Sequence, residues 1–309
     1  VPIPYTAILI LTLYPLLNIL PFEATFKAFS GKALWLVFSG MALSLGITET
    51  PLGARISRLI LGRVHTYQQL LFGLHLLGLI MALLIPSGVV RVLILMPMVI
   101  SLLKSLGEKP NSKISAAFVL ATVCSTYYGG VGILTASVPN LVLLGVLESR
   151  DITLYWSQWA YYLFPVIGLL RVGAIYLLIR IIFRPSQEPS LSQLPALADV
   201  PKHLTTAEKK VLSVLFVGIL LWATDVVHGT HPVFIGLGIV LFIYLPTWGP
   251  LQFDLLKKVN FPLLIYIAAT FTIGYALEHT GLNTYLTAFV TPVLRSISSP
   301  ITLMGAITY

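Results

Sequence analysis

The sequence predicts an all-α polytopic membrane protein. Of its 309 residues, 57% are hydrophobic and only 10% are charged, and the mean hydropathy is +0.92. An average soluble domain has about a quarter charged residues, so this chain has too little polar surface to face water. Apolar runs long enough for membrane-spanning helices recur along the whole chain, and proline and glycine interrupt some of them.

The composition also excludes several classes of protein. A net charge of +8 is spread over short loops between apolar runs, which is not the pattern of a nucleic-acid-binding surface. A single cysteine, Cys124, excludes a disulfide framework and a cysteine metal cluster. No acid–base pair, phosphate loop or nucleophile arrangement is found, so the chain is not expected to be an enzyme. The predicted spans and partial spans are Tyr5–Leu20, Ala33–Ile47, Gln69–Ile85, Val92–Leu103, Ile114–Thr126, Tyr155–Phe183, Val211–Val227, Pro232–Leu245 and Phe261–Leu277.

The third and fourth runs are separated only by the six residues 86–91, Pro-Ser-Gly-Val-Val-Arg. A proline and a glycine between two short apolar arms predict a re-entrant helical hairpin over 68–106. A tight turn between two full spans is the alternative. Most of the 19 basic residues then fall on one side, which the positive-inside rule places in the cytoplasm of a multi-pass protein of the cell (inner or plasma) membrane.

A second interruption is predicted within 113–148, where Gly129, Gly130 and Gly132 are followed by Pro139 and Asn140. Irregular backbone at membrane depth is tolerated only where protein or a polar cavity covers it. Two broken elements in succession indicate the binding site of a secondary transporter. The alternative is that the glycines serve close helix packing.

An offset of 230 residues brings two parts of the chain into weak register, with Lys27 on Lys257 and Leu52 on Leu282. By the topology above the two copies have opposite orientation, which predicts an inverted repeat. The predicted division is a first repeat at 1–183, a linker at 184–206 and an incomplete second repeat at 207–309. The first repeat would comprise an interface helix at 50–63, the hairpin, the broken helix and a span at 155–183. The counterpart of Ser87 would fall at 317, so we expect the chain to be a fragment.

The residues around both interruptions resemble the divalent anion/sodium symporter family of sulfate and dicarboxylate carriers, within the ion-transporter superfamily. That family has a Ser-Asn-Thr signature ten residues before a proline, and here Ser87 precedes Pro97 by ten. Its broken helix reads Gly-Gly-x-Gly-Thr-x-x-Gly-Thr-Pro-Pro-Asn, which is matched by the three glycines, the proline and the asparagine named above.

The resemblance implies ion-coupled transport of sulfate or a di- or tricarboxylate by alternating access, with the lipid bilayer and a small anion as partners, a homodimer and no nucleic acid. It implies no cofactor beyond Na⁺ as coupling ion, held through Ser87, Gly130 and Asn140. Two departures weaken that sodium site, since Gly88 and Val89 replace the signature asparagine and threonine. The predicted substrate- and ion-binding residues are Ser87, Gly88, Val89, Arg91, Gly129, Gly130, Gly132, Thr135, Pro139 and Asn140.

Arg91 adds a positive charge at membrane depth, where charges face a cavity or are paired. We hypothesise that it replaces part of the electrostatic role of a bound cation; the alternative is that it snorkels to the membrane surface or pairs with a helix C-terminus. Two other functions stay open, an arsenite or Na⁺/H⁺ antiporter-type permease of the same superfamily and a non-transporting fragment. Trp156, Trp159 and Trp222 are expected to be membrane-boundary aromatics. Asp225, His228 and His231 are expected to lie in a solvated loop.

Overall fold

The computed structural model describes residues 2–61, 64–85, 87–185 and 203–295, and within these ranges the regular structure is helical, without strands. The α-helices are α1 Ile3–Leu16, α2 Phe22–Phe26, α3 Lys32–Thr48, α4 Leu52–Leu61, α5 Tyr67–Leu84, α6 Gly88–Ser105, α7 Lys113–Val131, α8 Val138–Glu148, α9 Trp156–Leu163, α10 Arg171–Ile182, α11 Thr206–Ala223, α12 Asp225–His228, α13 Pro232–Ile243, α14 Phe261–His279 and α15 Leu282–Arg295. A seven-residue π-helical segment, Phe164–Leu170, joins α9 to α10 without a break.

Five helical segments of the described chain are long and apolar enough to cross a membrane. They are α5, α6, α7, the continuous α9–α10 segment and α14. The prediction of an all-α polytopic membrane protein is therefore confirmed. The two arms of the predicted hairpin, α5 and α6, are each 18 residues long. By length either arm also suffices for a full crossing, so the re-entrant hairpin stays a prediction.

The chain forms two compact units, Val1–Gly31 with Phe261–Tyr309 and Lys32–Asn260. In the first unit α1 packs along α14, and Ala7, Leu11 and Ala269 form its buried centre. The hydroxyl of Thr272 donates to the carbonyl of Thr25 at 2.7 Å, which ties α14 to α2.

In the second unit the most extensive contact is between α5 and α7. The two helices approach closely because Gly78 has no side chain, and the Ser125 side chain occupies the space that a Cβ would fill. Tyr67 stacks on Phe118 further along the same pair, with ring centroids 5.6 Å apart. Small residues at the contact let helix backbones come together in apolar surroundings. Both α6 and α10 also pack against α7, which is therefore the central helix of this unit.

The interface helix predicted at 50–63 is the amphipathic helix α4, although position 63 lies outside the described residues. Its Arg55 pairs with Glu208 at the start of α11, at 2.9 Å from Nε to Oε1. A second guanidinium nitrogen donates to the carbonyl of His203 at 3.1 Å. The helix is thus held at one end of the second unit by a charged contact between distant parts of the chain.

Helix boundaries follow the 230-residue offset closely. Adding 230 to the bounds of α3 gives 262–278, where α14 is found, and adding it to the start of α4 gives Leu282, the start of α15. The inverted relation of the two copies and the division into repeats stay predictions. Residues 186–202 of the predicted linker and 296–309 of the second repeat lie outside the described residues.

Candidate functional site

The first interruption lies between α5 and α6. Ile85 follows α5 with extended backbone (φ −119°, ψ 111°), and Ser87 is the N-cap residue of α6. The Ser87 side chain accepts from the backbone N–H of Val90 at 3.4 Å. Pro86, between them, lies outside the described residues. Ser87 and Gly88 are half-buried, while Val89 is 55% exposed.

The second interruption lies between α7 and α8. Residues 132–137 contain a single 3₁₀ turn, Leu134–Ala136, and Pro139 stands in the first turn of α8, where its missing N–H costs nothing. The break is shorter than the glycine pattern suggested, because Gly129 and Gly130 are still part of α7. The helical structure is therefore broken at both predicted positions, and each break is followed by the start of a helix, whose first N–H groups have no helical acceptor.

Arg91 joins the two interruptions. Its side chain is 1% exposed, and its guanidinium donates only to backbone carbonyls. Nη1 reaches the oxygen of Ile85 at 2.5 Å and that of Ala136 at 3.0 Å, and Nη2 reaches the oxygen of Thr126 at 2.7 Å. The three carbonyls come from the end of α5, the last turns of α7 and the second break. This arrangement is a cage of oxygens of the kind that a cation requires.

The contacts of Arg91 also place two helix N-termini side by side. Ile85 stands three residues before Gly88, where α6 begins, and Ala136 stands two residues before Val138, where α8 begins. Since one nitrogen binds both carbonyls, the first turns of α6 and α8 must lie close together. Each first turn carries N–H groups without helical acceptors and the positive end of a helix dipole. Two such ends at one place favour a negative solute.

Asn140 closes the end of α7. Its Nδ2 lies within hydrogen-bonding distance of the carbonyl oxygens of Gly130 (3.2 Å), Val131 (3.1 Å) and Ile133 (2.8 Å). The carbonyls lie at and just beyond the end of α7, where regular helical hydrogen bonding stops, and those of Gly130 and Ile133 also accept from the backbone N–H groups of Ile133 and Ala136. The asparagine amide is thus used to cap the broken helix.

The predicted glycines allow close approach. A Cβ on Gly129 would meet the end of Leu79, and one on Gly130 would collide with the Arg91 guanidinium. A Cβ on Gly132 would meet backbone, at 2.8 Å from the Cα of Phe164 and 3.2 Å from the Cα of Gly168. Close packing and a helix break do not exclude each other here, because these glycines adjoin the break and pack closely as well.

Gly132→Ala is expected to destabilise the protein by about 1–3 kcal/mol, because the new methyl group meets the backbone of the π-helical segment, which cannot rotate away. Gly173→Ala on α10 is the matched control, since nothing lies within 4 Å of its added Cβ. We expect this control to leave the thermal midpoint unchanged or to raise it. Equal midpoints for the two variants in a detergent-based unfolding assay would contradict the tight contact.

Sequence reasoning missed two residues that support the second break. Trp156 Nε1 donates to the hydroxyl oxygen of Thr135 at 3.1 Å, and Trp159 Nε1 donates to the carbonyl of Val131 at 3.1 Å. Both tryptophans are buried among the helices, as is Trp222, and their placement at the membrane boundary stays a prediction. A buried indole needs an acceptor, and a broken helix offers unpaired carbonyls. Two tryptophans shortly after such a break are the signal that was available.

Asp225 fixes the start of α9. It is fully buried and accepts from the backbone N–H of Trp156 (2.7 Å) and from the N–H and hydroxyl of Ser157 (3.2 and 2.5 Å). His231 is also buried and lies 2.5 Å from the Glu148 carboxylate, measured from Nε2 to Oε1. The expected solvated loop is therefore wrong for Asp225 and His231, whereas His228 is exposed to solvent as expected, although it is the last residue of α12. No cluster of metal-ligating side chains is found among the described residues.

A cavity of about 580 Å³ lies elsewhere, between α11 and α13. Its lining is almost entirely apolar and includes Val217, Phe234 and Phe242, which are more than half exposed. None of the predicted site residues lines it. An exposed apolar groove between membrane helices suits hydrocarbon rather than a divalent anion, so we do not assign this cavity to the solute.

Two breaks between apolar helices that meet at a buried cation are typical of helical membrane transporters. Residues 1–308 match the family described as the sodium:sulfate symporter transmembrane region, and the chain belongs to that family. The resemblance expected from the sequence is confirmed. The family is one of transporters, which agrees with the expectation that the chain is not an enzyme.

Individual relatives are distant. An L-tartrate/succinate antiporter of Escherichia coli K12 is 24% identical over 301 residues, covering 91% of this chain and 59% of the relative. The antiporter of the same name from Shigella boydii is 24% identical over 299 residues. A protein of Cupriavidus necator named only as a membrane protein is 26% identical over 281 residues, covering 85% of this chain and 52% of the relative. The chain thus spans 52–59% of the length of these relatives.

Proposed function

We propose that this chain carries a divalent anion across the cell (inner or plasma) membrane by alternating access, with a dicarboxylate such as succinate or tartrate as the solute. Membership of the family supports anion transport. The names of the antiporter relatives support a dicarboxylate and an exchange of one anion for another. Inorganic sulfate, after which the family is named, is the second candidate solute.

The single observation that carries the proposal is the meeting of the two interruptions at the Arg91 guanidinium. It supports an anion site formed by the first turns of α6 and α8, whose N–H groups belong to Gly88, Val89 and Asn140. Arg91 would act on the anion through its charge and not by contact, because its Nη1 and Nη2 groups donate to carbonyls. A desolvated charge acts strongly over a distance, since little water screens it.

The same contacts bear on the coupling ion. Backbone carbonyl oxygens are ligands for Na⁺, and here three of them are bound by a tethered cation. Of the residues expected to hold sodium, Asn140 is engaged in capping α7, and the Gly130 carbonyl is one of its partners. We therefore propose that Arg91 stands in for a coupling cation between the two interruptions, so that transport does not require sodium at this position.

The test is transport by purified protein in liposomes loaded with unlabelled succinate. We expect uptake of labelled succinate that internal succinate accelerates and that is equal in sodium chloride and choline chloride. Strict sodium dependence in the wild type would overturn the role of Arg91 as a built-in cation. Arg91→Gln, assayed beside it, is expected to lose most uptake in both salts, because glutamine supplies hydrogen bonds without charge.

Other outcomes select the alternatives. Transport of arsenite, or exchange of sodium for protons, would favour the antiporter-type permease. Such activities are expected to need a buried carboxylate, and the one acidic residue in 86–140 is Glu108, in the loop after α6. If the folded protein transports none of succinate, tartrate and sulfate, the hypothesis of a non-transporting fragment is favoured. Cross-linking in the membrane tests the proposed homodimer.

A further inference from the structure

His75 is a buried histidine with one unused nitrogen. It lies in α5 and is 3% exposed. Nδ1 is 2.8 Å from the carbonyl oxygen of Leu71, and because a carbonyl only accepts, Nδ1 must carry the hydrogen. Nε2 is then a lone pair, and it is buried without a hydrogen-bond partner. An unpaired polar atom in the interior calls for an explanation, since nearly all such atoms are paired.

The unpaired Nε2 of His75 lies on a helix that leads directly into the first interruption. Among the buried side-chain nitrogen and oxygen atoms of the described residues, two lack a partner, His75 Nε2 and Arg91 Nε. They lie on α5 and α6, the two helices that flank the first interruption. His75 is ten residues before Ile85, a separation of about 15 Å along a helix. The carbonyl of Ile85 accepts a hydrogen bond from Arg91.

The described contacts of His75 and its neighbours in α5 are with uncharged groups. From α10, the ring of Tyr176 stands at 82° to the imidazole with centroids 5.4 Å apart, and it is the titratable group in contact with it. From α7, Ser125 faces this part of α5 and donates to Leu74 at 3.4 Å. From α4, Leu61 faces it at Gly73. Both α6 and α10 pack against α5, and each carries an arginine within its apolar stretch: Arg91 on α6 and Arg171 on α10, the latter over the ring of Tyr128.

This environment suits one ligand, the proton. A single imidazole nitrogen without neighbouring ligands does not make a metal site, but it is the side chain that exchanges a proton near neutral pH. An imidazolium here would be desolvated and repelled by Arg91 while the carrier is empty. A dianion at the first turns of α6 and α8 would reverse that balance, because opposite charge favours the protonated form.

We infer that His75 Nε2 is a proton-binding site whose occupancy follows that of the anion site. This inference deepens the proposed function and rests on it. The charges match: Arg91 and one imidazolium together balance the two negative charges of a dicarboxylate or sulfate. The proton comes from water on the side where the anion binds and returns to water on the other side. In the present conformation His75 is shielded, so this exchange requires α5 to separate from α10 or α7.

The experiment uses liposomes containing the purified protein and labelled tartrate or sulfate, which stay doubly charged between pH 5.5 and 7.5. Net uptake into liposomes at internal pH 7.5 is compared for external pH 5.5 and 7.5, with the membrane potential clamped. External acid favours the protonated imidazole, so net uptake by wild type is expected to be several-fold faster at external pH 5.5 than at 7.5. A trapped pH dye should report one proton entering per dianion.

His75→Asn keeps a donor near the position of Nδ1 and removes the titrating nitrogen. We expect it to retain exchange of labelled for unlabelled anion and to lose the acceleration by external acid. His75→Gln is the second variant, and His65→Asn, in the exposed loop before α5, is the control that should behave as wild type.

The outcomes separate the two ideas. Exchange by wild type without any acceleration or proton entry overturns the proton site and leaves the proposed function standing. Acceleration that survives in His75→Asn or His75→Gln also overturns it. Absence of both exchange and net uptake in folded wild type overturns the proposed function, and this inference with it.

Discussion

Arg91→Met is expected to abolish anion uptake and to destabilise the protein by about 3–5 kcal/mol, which is the range for breaking a buried charged network. Methionine is apolar, so the carbonyls of Ile85, Thr126 and Ala136 would all lose a donor in a buried place. Each unsatisfied buried group costs about 1–3 kcal/mol. Thermal unfolding in detergent and uptake in liposomes measure the two effects.

Arg171→Met is the matched control. Arg171 also lies in an apolar span, but it is exposed and rests on the ring of Tyr128 at 4.2 Å. Its loss removes a surface cation–π contact worth about 0.5–1 kcal/mol, so a small change is expected. Arg91→Lys should have a stability and an uptake between those of wild type and Arg91→Met, because an ammonium keeps the charge but does not have the planar fork of a guanidinium. Uptake and stability equal to wild type in Arg91→Met would refute the carbonyl cage as a structural and functional centre.

Asn140→Asp is the second substitution with a large expected effect. It exchanges an amide nitrogen for a carboxylate oxygen at 2.8–3.2 Å from three carbonyl oxygens. The new carboxylate oxygen would then face three carbonyl oxygens at the buried end of α7 where the amide had supplied a donor. We expect a loss of at least about 3 kcal/mol of stability, together with loss of uptake, because the first turn of α8 is displaced from that of α6.

Asn18→Asp is the control for the same change of charge. Asn18 is exposed and has a left-handed backbone (φ 54°), which aspartate tolerates nearly as well as asparagine. Its thermal midpoint should stay within about 1 °C of wild type, as for surface substitutions in general. If the two variants unfold at the same temperature, Asn140 does not cap α7 in the way its contacts indicate.

The spans and their interruptions were predictable from local physics. The continuous α9–α10 segment covers 156–182 against a predicted 155–183, and α4 covers 52–61 against 50–63. Long apolar runs and amphipathic spacing carry this information within a few neighbouring residues. The π-helical segment at Phe164–Leu170 was not predicted, although Pro165 removes a backbone donor there.

The exact course of the second break depended on tertiary contacts. The cluster Gly129, Gly130 and Gly132 favoured a loop, yet the first two continue α7. They remain helical because their missing side chains admit Leu79 and Arg91, and the energy of that packing outweighs the low helix propensity of glycine. Helix propensity acts locally, so this competition could not be decided from the sequence.

The partners of Arg91 and Asp225 were beyond sequence reasoning for the same reason. The acceptors of Arg91 lie up to 45 residues away along the chain, and Asp225 caps a helix that begins 69 residues before it. Carbonyl acceptors also leave no mark in the sequence, since every residue has one. A buried charge was predictable, whereas the groups that neutralise it were not.

The hydrogen bonds of Arg91 also restrict how the protein moves. Because Nη1 binds the carbonyls of Ile85 and Ala136 at once, the segments before α6 and α8 cannot move independently of each other. The pair behaves as one rigid block, and a translocation step must shift it as a whole. Spin labels at Val89 and Val138 should accordingly keep a constant separation while the carrier changes the side to which it opens.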